Sequence, residues 1–243
     1  MKKRNKILLS LVALASLANA DFLSQEEVKN FDKAGFFDKV NGKVTRVFDS
    51  GSMYIVDVQQ KEINDTVYVT KDKKVMFSGV AIDMNKGQKI NLPVDISIAK
   101  GKESFSIGNG KNEISIFTDA QCPYCQAFVK YIPEIIEKTD TKINVFHYPL
   151  QMHSKARALA QYQTSLVGKM NPVDIIKIDE HDRGFRESNM TSEFIEKANK
   201  EIDEQIAIGN KLGIKGTPYI LDSKGNVLDW QVYFSKLGIK IGR

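Results

Sequence analysis

Glu113-Ile114-Ser115-Ile116-Phe117-Thr118-Asp119-Ala120-Gln121-Cys122-Pro123-Tyr124-Cys125 is the stretch on which the fold turns. Its first six residues are apolar and β-branched enough to read as a short strand. Asp119-Ala120-Gln121 then leads into the two cysteines, and beyond them Phe128, Val129, Ile132, Ile135 and Ile136 fall on one helical face. Pro133 lies inside that pattern and is expected to kink the helix. Ile143–Tyr148 reads as the next strand. The unit is βαβ, with both thiols at the strand-to-helix turn. Unpaired backbone N–H groups and the positive end of the helix dipole favour an anion there. Cys122 is therefore the expected thiolate and attacking sulfur, and Cys125, one turn deeper, the resolving one. Pro123 suits the first helical position, where a missing N–H is no loss.

These are the only two cysteines in 243 residues. A bridge between them closes so small a loop that chain entropy supplies only about 2 kcal/mol, against roughly 4.7 kcal/mol for a hundred-residue loop. The pair is a poor staple, so redox chemistry explains it better. Downstream, helices are expected over Ala156–Val167, around Pro172–Ile178 and over Ser192–Leu212, where Ile195, Ala198, Ile202 and Ile206 are in register. Thr217-Pro218 then opens a strand, Tyr219–Leu221. Val227–Val232 can return antiparallel, and a short helix closes near Phe234–Leu237. A proline at a strand start removes one ladder donor and exposes neighbouring backbone groups. Beside Cys122 it could receive a substrate as an added strand, in a tight turn if its peptide bond is cis. Trp230 and the helical phenylalanines read as core, whereas Tyr124 must sit at the rim of the reactive thiol.

Towards the N-terminus the composition changes. Residues 1–20 carry Lys2, Lys3, Arg4 and Lys6, an apolar run from Ile7 to Ala18, and the ending Ala18-Asn19-Ala20, which reads as a secretory signal peptide. The chain has 35 basic and 30 acidic side chains; with those four basic ones removed, the remainder carries a formal charge of only +1. No concentrated basic face is left for nucleic acid. Residues 21–91 read as a small α+β domain. Ser24-Gln25-Glu26-Glu27 is a capping box opening a helix to about Phe37. Four short strands follow, Val44–Phe48, Met53–Val58, Thr66–Val69 and Val75–Phe77. So small a layer gains stability by pairing with a copy of itself, strand edge to strand edge. Residues 92–110 hold Pro93, Gly101, Gly108 and Gly110 and read as a linker with a little strand at Asp95–Ala99; residues 111–243 form the second domain.

Cys122-Pro123-Tyr124-Cys125 after Phe117-Thr118-Asp119, with Thr217-Pro218 downstream, resembles a thioredoxin-fold active site. The N-terminal domain, Tyr68-Val69-Thr70 through Gly79, the long helical insertion and Gly213–Pro218 together resemble the DsbC/DsbG family of periplasmic thiol:disulfide isomerases. The Pro-Tyr dipeptide between the cysteines is most like the DsbG branch. The resemblance implies a cystatin-like N-terminal dimerisation domain and an α/β thioredoxin-like catalytic domain with a helical insertion. It implies a V-shaped homodimer, kept reduced by a membrane thiol reductase of the DsbD type, acting on cysteine-containing exported proteins and also as a chaperone. Carried over by motif, Cys122 attacks, Cys125 resolves, Pro123 tunes the pair, and Thr217, Pro218 and Tyr124 bind substrate. No cofactor and no metal is implied. Two features depart from the family: there are no cysteines for a second, structural disulfide, and the connector is punctuated by Pro and Gly instead of forming one long helix.

Other classes stay open on the residues alone. A dimeric periplasmic thiol oxidase shares every part and differs only in redox poise, where about 30 mV equals roughly 1.4 kcal/mol. A DsbG-like sulfenic-acid reductase is a third enzyme reading. Cytosolic glutaredoxins also use Cys-Pro-Tyr-Cys, but the export signal and the extra domain argue against them. A zinc or copper site would need the cysteines with His147, His153 or His181, which are scattered rather than paired. A holdase would bind unfolded chains with no chemistry at the thiols.

Overall fold

The computed structural model describes residues 21–61, 63–85 and 87–242; the signal-like segment lies outside the described residues. The chain divides into two compact units, one ending at Gly79 and one running from Val80 to the C-terminus.

In the first unit, β1 (Asp21–Phe22), β2 (Lys43–Asp49), β3 (Met53–Gln60), β4 (Ile63–Thr70) and β5 (Met76–Phe77) form one antiparallel sheet in chain order. The helices α1 (Gln25–Lys29) and α2 (Phe36–Lys39) supply Val28 and Phe37. With Phe31, these cluster with Val47, Val56, Val58, Val67 and Val69 of the strands. The alternation of Val56 with Val58, and of Val67 with Val69, puts one side chain in two on this face. The capping box forms: the Ser24 hydroxyl accepts from the Glu27 amide, and the Glu27 carboxylate accepts from the Ser24 amide. The helix expected to reach Phe37 does not. It stops at Asn30, and Gly35 (φ +63°) turns the chain so that α2 starts afresh, its Phe37 amide donating to Asp32 Oδ2 at 2.6 Å. β5 ends the sheet with Met76 and Phe77 both exposed.

The second unit opens with a small hairpin, β6 (Ile82–Asp83) and β7 (Gln88–Lys89). Its main sheet comprises β8 (Phe105–Ile107), β9 (Asn112–Thr118), β10 (Thr141–His147) and β11 (Tyr219–Asp222), in the order β11-β9-β10-β8. β9 and β10 run parallel, while both outer strands are antiparallel to them. The connection from β9 to β10 is α3 (Pro123–Val129) and α4 (Ile132–Lys138). Between β10 and β11 lie α5 (Ala156–Leu166), α6 (Pro172–Ile175), α7 (Arg183–Arg186) and α8 (Ser192–Lys211), and α9 (Trp230–Lys236) ends the unit. Ile114 and Ile116 of β9 pack with Phe128, Ile132, Ile135 and Phe234; Phe117 packs in a separate cluster with Phe146, Tyr148, Ile208 and Leu212. Burial on both faces is why β9 reads as a continuous apolar run rather than an alternating one.

Three expectations are corrected here. The anticipated kink at Pro133 is a break: α3 ends at Val129, and Pro133 sits in the first turn of α4, where no amide is needed. Asp95–Ala99 is not a strand. The Asp95 carboxylate accepts from the Ser97 amide at 3.1 Å and starts a single 3₁₀ turn, Ile96–Ala99. Val227–Val232 is not a returning strand beyond one bridge, Leu221 with Val227, because Asp229 caps α9. Within residues 92–110 the Val94 amide donates to Gly225 O, and β8 joins the main sheet. Residues 80–91 also group with the second unit, where Gln88 exchanges hydrogen bonds with Asp229.

Candidate active site

β9 delivers the chain to Asp119, and three residues later Cys122 is the N-cap of α3, with extended backbone (φ −71°, ψ 120°) and Pro123 as the first helical residue. No side chain caps this terminus, so its first-turn N–H groups are left to the sulfur or an incoming anion. Both thiols are free and buried, Cys122 at 4% exposure and Cys125 at 1%. The Thr217-Pro218 peptide is cis, and the preceding carbonyl, Thr217 O, lies 3.3 Å from Cys122 Sγ. Contact between the dithiol and the Thr217 loop spans 95 residues of sequence. Tyr124 is 74% exposed, on the rim as expected.

The two sulfurs differ in their surroundings. Burial pushes the Cys125 thiol up to about 12, and negative charge on Cys122 adds to this; the Thr118 and Thr217 hydroxyls and the Asp119 amide oppose it. The Asp119 N–H meets Cys125 Sγ at 3.5 Å, whereas the Thr217 hydroxyl is buried without a hydrogen bond of ordinary geometry. With a thiol at about 12, only about one Cys125 in ten thousand is thiolate at pH 8. Iodoacetamide at that pH is therefore expected to label Cys122 in the reduced native protein and leave Cys125 unlabelled until denaturant is added. Peptide mass spectrometry checks this, and equal labelling of both would contradict the geometry.

Four neighbours, Asp119, Gln121, Lys155 and Glu180, were not singled out as site residues from the sequence. Asp119 is wholly buried, and its carboxylate accepts from the amides of Gln121 and Leu150 and meets His153 Nδ1, each at 2.8 Å. Gln121 donates to Glu180 at 3.1 Å and accepts from the Lys155 amide at 2.6 Å, while Lys155 Nζ pairs with Glu180 at 3.0 Å. The Lys155 hydrogen bond and charge hold the Glu180 carboxyl below its ordinary range. The three histidines take different surroundings: His153 on Asp119, His181 exposed beside Glu180, His147 buried with no partner at Nε2 among the described residues. A cavity of about 360 Å³ backs the site, lined by Cys125, Gln126 and Val129 of α3 and by Ile176 and Ile178 of the insertion.

The thioredoxin-like domain family matches residues 104–235, more than half of the chain and the whole of this site. The chain belongs to that family. Its two-cysteine centre on this fold makes this thioredoxin-like protein a thiol–disulfide oxidoreductase. No curated protein matches it significantly. Among solved structures it is similar to the catalytic domain of Proteus mirabilis ScsC (18% identity, TM-score 0.42, 58% of this chain and 94% of that one). It is also similar to Pseudomonas aeruginosa DsbA2 (20%, 0.41, 55% and 91%) and to a thioredoxin-like oxidoreductase from Silicibacter pomeroyi (14%, 0.45, 57% and 94%). Among the described residues of this thioredoxin-like protein, no helix is long and apolar enough to cross a membrane.

Proposed function

We propose that the protein is a periplasmic thiol:disulfide interchange protein of the DsbC/DsbG kind, which reshuffles or reduces incorrect disulfides in exported proteins. The observation that carries this reading is the asymmetry of the dithiol: Cys122 at an uncapped helix start beside the Thr217 carbonyl, Cys125 behind it and held as a thiol. The Cys122 thiolate attacks a substrate disulfide. That S–S bond breaks, one substrate sulfur leaves as thiolate, and a mixed disulfide forms. A substrate thiol can then displace Cys122, which isomerises the substrate. Alternatively Cys125 gives up its proton to solvent and attacks Cys122 Sγ, which reduces the substrate by two electrons and leaves the protein oxidised. Pro123 sets the helix start, and Tyr124, Thr217 and Pro218 border the substrate. A membrane thiol reductase of the DsbD type restores the dithiol.

The first unit is assigned as the cystatin-like dimerisation domain. Its support is the outer edge of β5, unpaired among the described residues, where Val75, Met76 and Phe77 are all exposed, which suits strand pairing with a second copy. The export reading rests on the pattern of residues 1–20, and the chaperone role on the resemblance to the DsbC/DsbG family.

The test offers reduced protein to a scrambled multi-disulfide substrate, with oxidised protein and reduced substrate as the matched arm. Reactivation in the first arm is expected; strong turnover only in the second identifies an oxidase. In light scattering and ultracentrifugation the chain from Asp21 is expected to run as a dimer, and a chain beginning near Gly110 as a monomer. A monomer from Asp21 would remove the dimerisation reading.

A further inference from the structure

We infer that Asp119 and His153 form a positioning pair for the resolving step, acting through the backbone that holds both sulfurs. Asp119 is joined at every polar atom. Its carbonyl accepts from the Cys122 amide at 3.0 Å, and its own amide meets Cys125 Sγ at 3.5 Å. Oδ1 accepts from Gln121 N and Oδ2 from Leu150 N, with His153 Nδ1 also on Oδ2. One residue therefore ties the end of β9, the turn into α3, both cysteines and the loop that follows β10.

The carboxylate is the required group. It is wholly buried, and an ionised carboxylate only accepts, so each of its partners must donate. His153 Nδ1 must then carry a proton. The amide of an Asp119→Asn variant would turn an N–H against one of these donors whichever way it is placed. A buried charge without such donors is expensive, so loss of the His153 contact leaves Oδ2 with one partner and loosens the loop. The Asp119 amide is also among the groups that ease Cys125 towards thiolate. A shift of the loop therefore falls on the attack by Cys125 far more than on the attack by Cys122, whose sulfur lies at the helix start.

His153 can be changed with little risk to folding because its side chain is partly exposed, at 21%. The inference rests on the dithiol reading, but the test uses a chromogenic aryl disulfide and needs no physiological substrate. Cys122 attacks it and releases one arylthiolate; Cys125 then attacks Cys122 Sγ, loses its proton to solvent, and releases the second. The two bursts separate capture from resolution. His153→Leu is expected to slow the second burst about tenfold and the first less than about threefold. His153→Asn, whose side-chain N–H falls near the Nδ1 position, is expected to restore resolution to within about twofold of the parent protein. Unchanged resolution in His153→Leu, equal slowing of both bursts, or failure of His153→Asn to rescue would overturn the inference. Failure of the scrambled-substrate assay with intact bursts would instead remove the isomerase reading alone.

Discussion

Cys125→Ser is expected to turn the protein into a trap, leaving cysteine-containing substrate proteins joined to Cys122 as mixed disulfides. Once Cys122 has attacked, the sulfur one turn deeper on α3 is the intramolecular route to release. A serine hydroxyl in that buried place cannot replace it, because it is a far weaker nucleophile at neutral pH. Release should slow by several orders of magnitude, as when the nucleophile is removed from other covalent catalysts. Cys122→Ser should capture nothing. Non-reducing electrophoresis and mass spectrometry of the trapped species check both outcomes. Trapping by Cys122→Ser but not by Cys125→Ser would reverse the assigned order of attack.

The second large effect concerns acid. His147, at the end of β10, is 2% exposed, and burial lowers it to about 4 from the ordinary 6.5. Its backbone amide donates to Gln205 Oε1 at 2.6 Å, but ring Nε2 has no partner among the described residues to share a positive charge. Above pH 6.5 the ring is neutral in both folded and unfolded chains, and stability is unaffected. As pH falls from 6.5 towards 4, the unfolded chain takes up a proton that the folded one refuses. Stability then drops by about 1.4 kcal/mol per pH unit, to a loss on the order of 3 kcal/mol at pH 4. Urea titrations at pH 7.5 and 4.5 should show this as an extra fall in the midpoint that His147→Leu lacks. The same fall in both proteins would assign the acid sensitivity to other groups.

The sequence carries the dithiol and its helix plainly because that information is local. A strand, a two-residue-spaced cysteine pair and an apolar helical stripe lie within about 25 residues, and period and capping are short-range properties. Thr217-Pro218 was legible only once the cysteine pair supplied a context for it. Asp119 with His153 was not, because 34 residues separate them and the loop after β10 brings them together by tertiary packing. Three of the misread segments share one cause. Asp32, Asp95 and Asp229 each lend a carboxylate oxygen to a nearby backbone amide, which starts a helical turn where apolar spacing suggested continued helix or strand. Short polar side chains win such contests locally, and hydropathy is blind to them.

α3 lasts only seven residues before the chain breaks at Lys130 and Tyr131 and begins α4. The influence of a helix end on a sulfur fades beyond its nearest turn, so this brevity takes nothing from Cys122. The two helices therefore divide the labour: α4 beyond the break anchors the core through Ile132 and Ile135, while the nucleophile keeps the character it was given in its first few peptide units.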